Sequence, residues 1–113
     1  MKISAIRLFV EDIGEARSFY EQRLGLTPIT VDTSVLLFEA GPTLIIELAD
    51  DEARSEGMVG RFAGISFATA DIEALHARLE AAGCVIVGPP ERQPWGGILM
   101  HVEDPSGNVV SFV

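Results

Sequence analysis

A single cysteine, Cys84, cannot close an internal disulfide, so the chain is no disulfide scaffold and has no paired-cysteine metal motif. Basic residues are scarce. Eight Lys and Arg stand against 17 Asp and Glu, a net charge of −9. Nucleic acid is excluded as a partner, because phosphate neutralisation needs a basic face. No apolar run approaches the roughly 20 residues that cross a bilayer, so a membrane is not expected as a partner either. The start, Met1 to Arg7, has no secretory apolar region. With the lone thiol this points to a cytoplasmic protein. Phosphate loops, dinucleotide fingerprints and nucleophile elbows are missing. What remains is 48% hydrophobic and 22% charged over 113 residues, the composition of one globular domain. The acidity reads either as a solvated surface or as a field that draws in a cationic small molecule.

The chain says nearly the same thing twice. Asp12-Ile13-Gly14-Glu15-Ala16 opens one amphipathic segment that ends at Leu24-Gly25, and Asp71-Ile72-Glu73-Ala74-Leu75 opens another that ends at Ala82-Gly83. A repeat at half the chain length points to two copies of one supersecondary unit. Asp12 and Asp71 are helix N-caps, Glu15 completes a capping-box pattern, and Gly25 and Gly83 stop the helices. Strands are expected at residues 2–10, 28–32, 35–40 and 43–48, with a turn at Gly41-Pro42. The acidic stretch 49–60 links the halves and could hold one helical turn. Strands at 62–69, 85–87, 98–103 and 108–113 follow around the second helix. A Pro-rich loop is expected at 88–94 and a turn at Asp104-Pro105-Ser106-Gly107. The fold class is α+β, two βαβββ modules (1–48 and 61–113) in one domain.

In their order and spacing, Val10-Glu11-Asp12, Ser18-Phe19-Tyr20, Leu24-Gly25-Leu26, Pro94-Trp95-Gly96-Gly97 and Asp104-Pro105-Ser106-Gly107-Asn108 resemble the vicinal oxygen chelate superfamily. That superfamily includes glyoxalase I, extradiol dioxygenases and bleomycin resistance proteins. The resemblance implies a cup-shaped mixed sheet with a site inside the cup. It also implies metal-ligand positions at Ala5, Glu47, Gly64 and Ser111. Only Glu47 is a good ligand there. A catalytic divalent metal needs about three protein ligands, so no metal and no other cofactor is expected.

Alternation along Thr43–Leu48 puts Glu47 on the cup face, as a general base or a cation's partner. His101 would pair with Glu47 in proton transfer if it faces inward. Phe38 is expected to share the cup face with Ile45 and to wall a ligand. Trp95, on a rim loop, would stack on a planar or cationic ligand, and Ser111 would line the cup from the last strand. Arg7 reads as a snorkelling residue at a subunit interface or as an inward cation. His76 reads as helix surface and Cys84 as a buried thiol. The function that follows is metal-free binding of a cationic or aromatic small molecule, by a homodimer of the bleomycin-resistance type. The alternatives are a metal-independent isomerase or lyase with Glu47 as base, a divergent glyoxalase- or dioxygenase-type metalloenzyme, and a dimer with no small-molecule chemistry.

Overall fold

Asp12, Asp50 and Asp71 each start a helix in the same way. The side-chain Oδ1 accepts the backbone N–H three residues on, from Glu15 at 2.8 Å, Ala53 at 2.8 Å and Ala74 at 3.0 Å. The computed structural model describes residues 1–113. It orders them as β1 (Ala5–Val10), α1 (Ile13–Arg17, prolonged by wider turns over Ser18–Arg23), β2 (Thr27–Val31), β3 (Val35–Glu39), β4 (Thr43–Leu48) and α2 (Asp51–Ser55). Then come β5 (Phe62–Phe67), α3 (Ile72–Ala81), β6 (Val85–Arg92), β7 (Ile98–Glu103) and β8 (Val109–Phe112). The widened turns carry an i to i−5 bond, Leu24 N to Phe19 O at 2.9 Å. They let the sequence neighbours Phe19 and Tyr20 both enter the core, which a regular helix would split between faces.

Each module makes its own four-stranded mixed sheet, in the orders β1-β4-β3-β2 and β5-β8-β7-β6. The first and last strands of a module run parallel, and the other pairs are antiparallel. Alternation sorts the side chains. Leu8, Val10, Leu36, Phe38, Leu44 and Ile46 leave the first sheet for the core, and Met100, Val102, Val110 and Phe112 leave the second. Both sets join Ala16, Phe19, Tyr20, Leu75 and Leu79 in one cluster of 15 buried residues. The two sheets therefore share one core with the helices between them, and Arg78 of α3 donates to the Arg23 carbonyl at 3.1 Å where the helices meet.

A buried polar knot ties the modules. Asn108 Nδ2 donates to the Phe9 carbonyl on the edge of β1 at 2.8 Å, and its Oδ1 accepts Gly60 N at 2.9 Å. Asp104 Oδ1 accepts Ser106 N and Asn108 N, while Oδ2 accepts Tyr20 Oη–H at 2.7 Å. The Asp-Pro-Ser-Gly-Asn turn is thus a module-to-module joint as well as a hairpin.

One difference from the sequence reading has a clear cause. The Pro-rich stretch is not a loop: β6 runs through Pro89 and Pro90 to Arg92, with register shifts at Ile86/Gly88 and Gly88/Glu91. β6 is an edge strand and both prolines fall inside the register shift between Gly88 and Glu91, the two settings in which a strand tolerates proline. The linker makes the short helix α2 and anchors it by burying Ala53.

Candidate functional site

The face of each sheet turned away from the core carries the candidate residues, and the shared core lies between the two faces. On the first sheet the open face presents Arg7 and Phe9 from β1, Val35 and Leu37 from β3, and Ile45 and Glu47 from β4; the register pairs Arg7 with Ile45 and Phe9 with Glu47. Arg7 grips Glu47 side-on. Its Nε donates to Oε2 at 2.7 Å and its Nη2 to Oε1 at 3.1 Å. The guanidinium carbon sits 5.5 Å from the centre of the Phe9 ring. The hydrogen bond to Glu47, followed by its charge, raises the Arg7 pKa above the ordinary arginine value. The Arg7 side chain is 61% exposed and that of Glu47 only 26%, so solvent and ligand reach the arginine more readily than the carboxylate. A solvated pair of this kind adds little stability, and its consequence is positional.

On the second sheet the open face presents Phe62, Gly64 and Ser66 from β5, His101 from β7 and Ser111 from β8. Register settles the orientation that sequence leaves open. Met100 and Val102 are core residues, so His101 between them points outward, opposite Ser111. His101 Nδ1 and Ser111 Oγ lie 2.7 Å apart, and the hydroxyl can serve either tautomer as partner. The Phe62 ring meets the imidazole edge-on at 6.1 Å. Gly88 faces the same ring so closely that a Cβ there would stand 3.1 Å from His101 Cδ2.

Two expectations change. Glu47 and His101 do not pair, since they occupy outer faces of different sheets, and each already has a partner. Phe38 is not on the open face. It pairs with Leu44, is fully buried, and packs beside Tyr20, because the hairpin closing at Gly41-Pro42 puts Leu37, not Phe38, opposite Ile45. Trp95 sits in the turn between β6 and β7, 66% exposed, with its ring folded onto Gly97. Sequence reasoning named Arg7 as an interface residue or an inward cation but missed its pairing with Glu47, and it missed the places of Phe9 and Phe62 on the open faces. The signal was available for the first two: Arg7 and Phe9 alternate on β1 and lie opposite β4, the strand that carries Glu47.

Between the edges of β1 and β5, which form no ladder with each other, runs an apolar cleft of about 560 Å³ lined by Ile6, Leu26, Leu44, Ile65 and Phe67 among others.

This doubled βαβββ architecture has counterparts among known proteins. The model of the Glyoxalase/Bleomycin resistance protein/Dioxygenase superfamily matches residues 2–112. The chain belongs to that superfamily. It is 27% identical over 124 residues to the uncharacterized protein YraH of Bacillus subtilis (strain 168), covering 99% of this chain and 97% of that one. A superfamily member from Sphaerobacter thermophilus DSM 20745 superposes with a TM-score of 0.77 at 25% identity, covering 100% of this chain and 96% of that one. TnmS3, an antibiotic binding protein from Streptomyces sp. CB03234, superposes with a TM-score of 0.80 at 24% identity, covering 99% and 93%. At that identity the likeness to TnmS3 is one of fold.

The four positions that the resemblance marks for metal ligands, Ala5, Glu47, Gly64 and Ser111, lie on the open faces. They supply a methyl, a carboxylate held by Arg7, a hydrogen and a hydroxyl held by His101. At Gly64 the backbone itself has moved: φ is +72° within a register shift of β5, a conformation in which a histidine would be strained. No group of three or more His, Cys, Asp and Glu side chains comes together anywhere in the chain. These residues do not fit a catalytic divalent ion, which needs about three protein ligands.

Proposed function

We propose that this superfamily member is a metal-free binding protein for an aromatic small molecule, working as a cytoplasmic homodimer. The observation that carries the reading is the closure of Glu47 by Arg7. The one superfamily ligand position that keeps a good donor is neutralised by a residue of its own sheet. The same closure weighs against the isomerase or lyase alternative, because both oxygens of the would-be base already accept hydrogen bonds. It also removes the free carboxylate that a cationic ligand would seek, so of the two expected ligand characters the aromatic one is favoured. The apolar patch of Phe9, Val35, Leu37 and Ile45, and the exposed rings of Phe62 and Trp95, support binding of a flat ring system. TnmS3 is an antibiotic binding protein on this fold, which supports the capacity of such faces to hold a drug-sized molecule.

The homodimer follows from where the open faces lie. Each sheet has an open face of its own, and module 1 of one copy set against module 2 of another would close a cup between them. The unpaired edges of β1 and β5 and the exposed Phe62 offer the surface for it. Cys84, a half-buried free thiol, suits a reducing compartment. The test is a thermal-shift screen of metal-stripped protein of known oligomeric state. Binding to the native state raises the melting temperature by mass action. Aromatic compounds should raise it and Ni²⁺, Zn²⁺, Mn²⁺ and Fe²⁺ should not. A metal shift abolished by Glu47→Gln would overturn the proposal.

A further inference from the structure

Resting on that reading, we propose that Arg7 is the group that recognises the ligand, and that the ligand is an aromatic carboxylate. An arginine carries five N–H donors on three edges of a plane. Glu47 takes two donors from the side-on edge, one from Nε and one from Nη2. The end-on edge, formed by Nη1 and the remaining N–H of Nη2, has no partner in the chain, on a side chain that is 61% exposed. Two parallel donors at that edge match the two oxygens of a carboxylate, the geometry in which arginine gives its strongest recognition.

The fork is also held in place. Glu47 fixes one edge, and the Phe9 ring lies 5.5 Å below the guanidinium carbon. Little rotamer freedom is then left to lose on binding, which separates this arginine from an ordinary surface one. Val35, Leu37 and Ile45, half-buried on the same face, form an apolar floor for the ligand's ring. Glu39, the other carboxylate on this face of β3, is turned to its own turn, where it accepts Gly41 N at 3.1 Å. A cation at this place finds no free carboxylate on Glu47, whose two oxygens both accept from Arg7. The chain's net charge of −9 does not reverse the preference at contact, since charges beyond about 8 Å are screened at physiological ionic strength.

Three probes of one shape separate the possibilities: naphthalene carboxylate, its neutral methyl ketone, and naphthylmethylammonium. Each is titrated into isotope-labelled protein, following the backbone amides of β1 and β4. The carboxylate should bind about tenfold tighter than the other two, the worth of a charge-assisted pair. Arg7→Gln should remove that preference, and Arg7→Lys should restore part of it, because it returns the charge without the fork. Tightest binding by the ammonium probe, or a carboxylate affinity unmoved by Arg7→Gln, overturns this inference while leaving the aromatic-binding reading standing. No probe moving those amides sinks both.

Discussion

Tyr20 donates a 2.7 Å hydrogen bond to Asp104 across 84 residues of sequence, and both groups are buried. The phenol belongs to the helix of module 1 and the carboxylate to the last turn of module 2. The only tyrosine of the chain is therefore a strut between modules and not part of either open face. Burial first, then the charge and hydrogen bond of Asp104, push its pKa well above the usual tyrosine value near 10.

That shift fixes a pH dependence. The folded chain keeps the phenolic proton after the unfolded chain has begun to release it, at about pH 10. The stability from this group is whole below pH 10 and is lost as the pH climbs above it. Urea midpoints should fall from about pH 10 upward, with tyrosinate absorbance rising only as the protein unfolds. Tyr20→Phe should cost about 1–3 kcal/mol at neutral pH and abolish this alkaline slope. Tyrosinate appearing in folded protein near pH 10 would contradict the placement.

Asn108 should be the most sensitive polar position. It is fully buried: its Nδ2 donates to the Phe9 carbonyl and to Asp104 Oδ2, its Oδ1 accepts Gly60 N, and its backbone N–H donates to Asp104 Oδ1. Asn108→Ala strands several buried groups at about 1–3 kcal/mol each, so chemical denaturation should show a loss above about 3 kcal/mol. Ser106→Ala removes only the exposed contact to Glu11 N and should cost about 1 kcal/mol. Equal costs would mean that the turn does not join the modules.

Phe38 gives a clean test of which face is open. As a core residue, Phe38→Ala should lose about 3–5 kcal/mol of stability. Phe38→Leu, which keeps most of the volume, should bind naphthalene carboxylate within about twofold of the parent chain. A stable Phe38→Leu variant with binding lost would put the ring back on the ligand.

The ring of Trp95 lies where a side chain on Gly97 would be: an added Cβ would stand 1.8 Å from Cζ3. Gly97→Ala should therefore expel the indole from its turn. As Trp95 is the only tryptophan, its emission should shift to the red and acrylamide quenching should rise, with a small effect on stability. Unchanged emission would show that the indole does not rest on Gly97.

The architecture was legible because its signals are local. Capping aspartates, stop glycines and alternating strands stand in the sequence in order, and the repeat doubles each of them. The face of Glu47 was legible for the same reason, since alternation in Thr43–Leu48 needs no partner strand. The face of Phe38 was not, because the runs on β3 are apolar on both sides and only the register across Gly41-Pro42 separates Leu37 from Phe38. His101 had the same ambiguity between Met100 and Val102. Partner choice was least legible. That Glu47 meets Arg7 and not His101 depends on which faces the two modules turn toward their common core, a long-range outcome of packing. The strand through Pro89 and Pro90 was hidden because an edge position, which excuses a proline, is a property of the sheet and not of the segment.

The central claim is that an aromatic ligand binds here without a metal. Isothermal titration of naphthalene carboxylate into metal-stripped protein tests it directly, run once with a chelator and once with added Ni²⁺, Zn²⁺, Mn²⁺ or Fe²⁺. The account expects the same affinity in both runs. Binding that appears only when the metal is present, and is lost in Glu47→Gln, would contradict it and make the chain a metalloprotein of its superfamily.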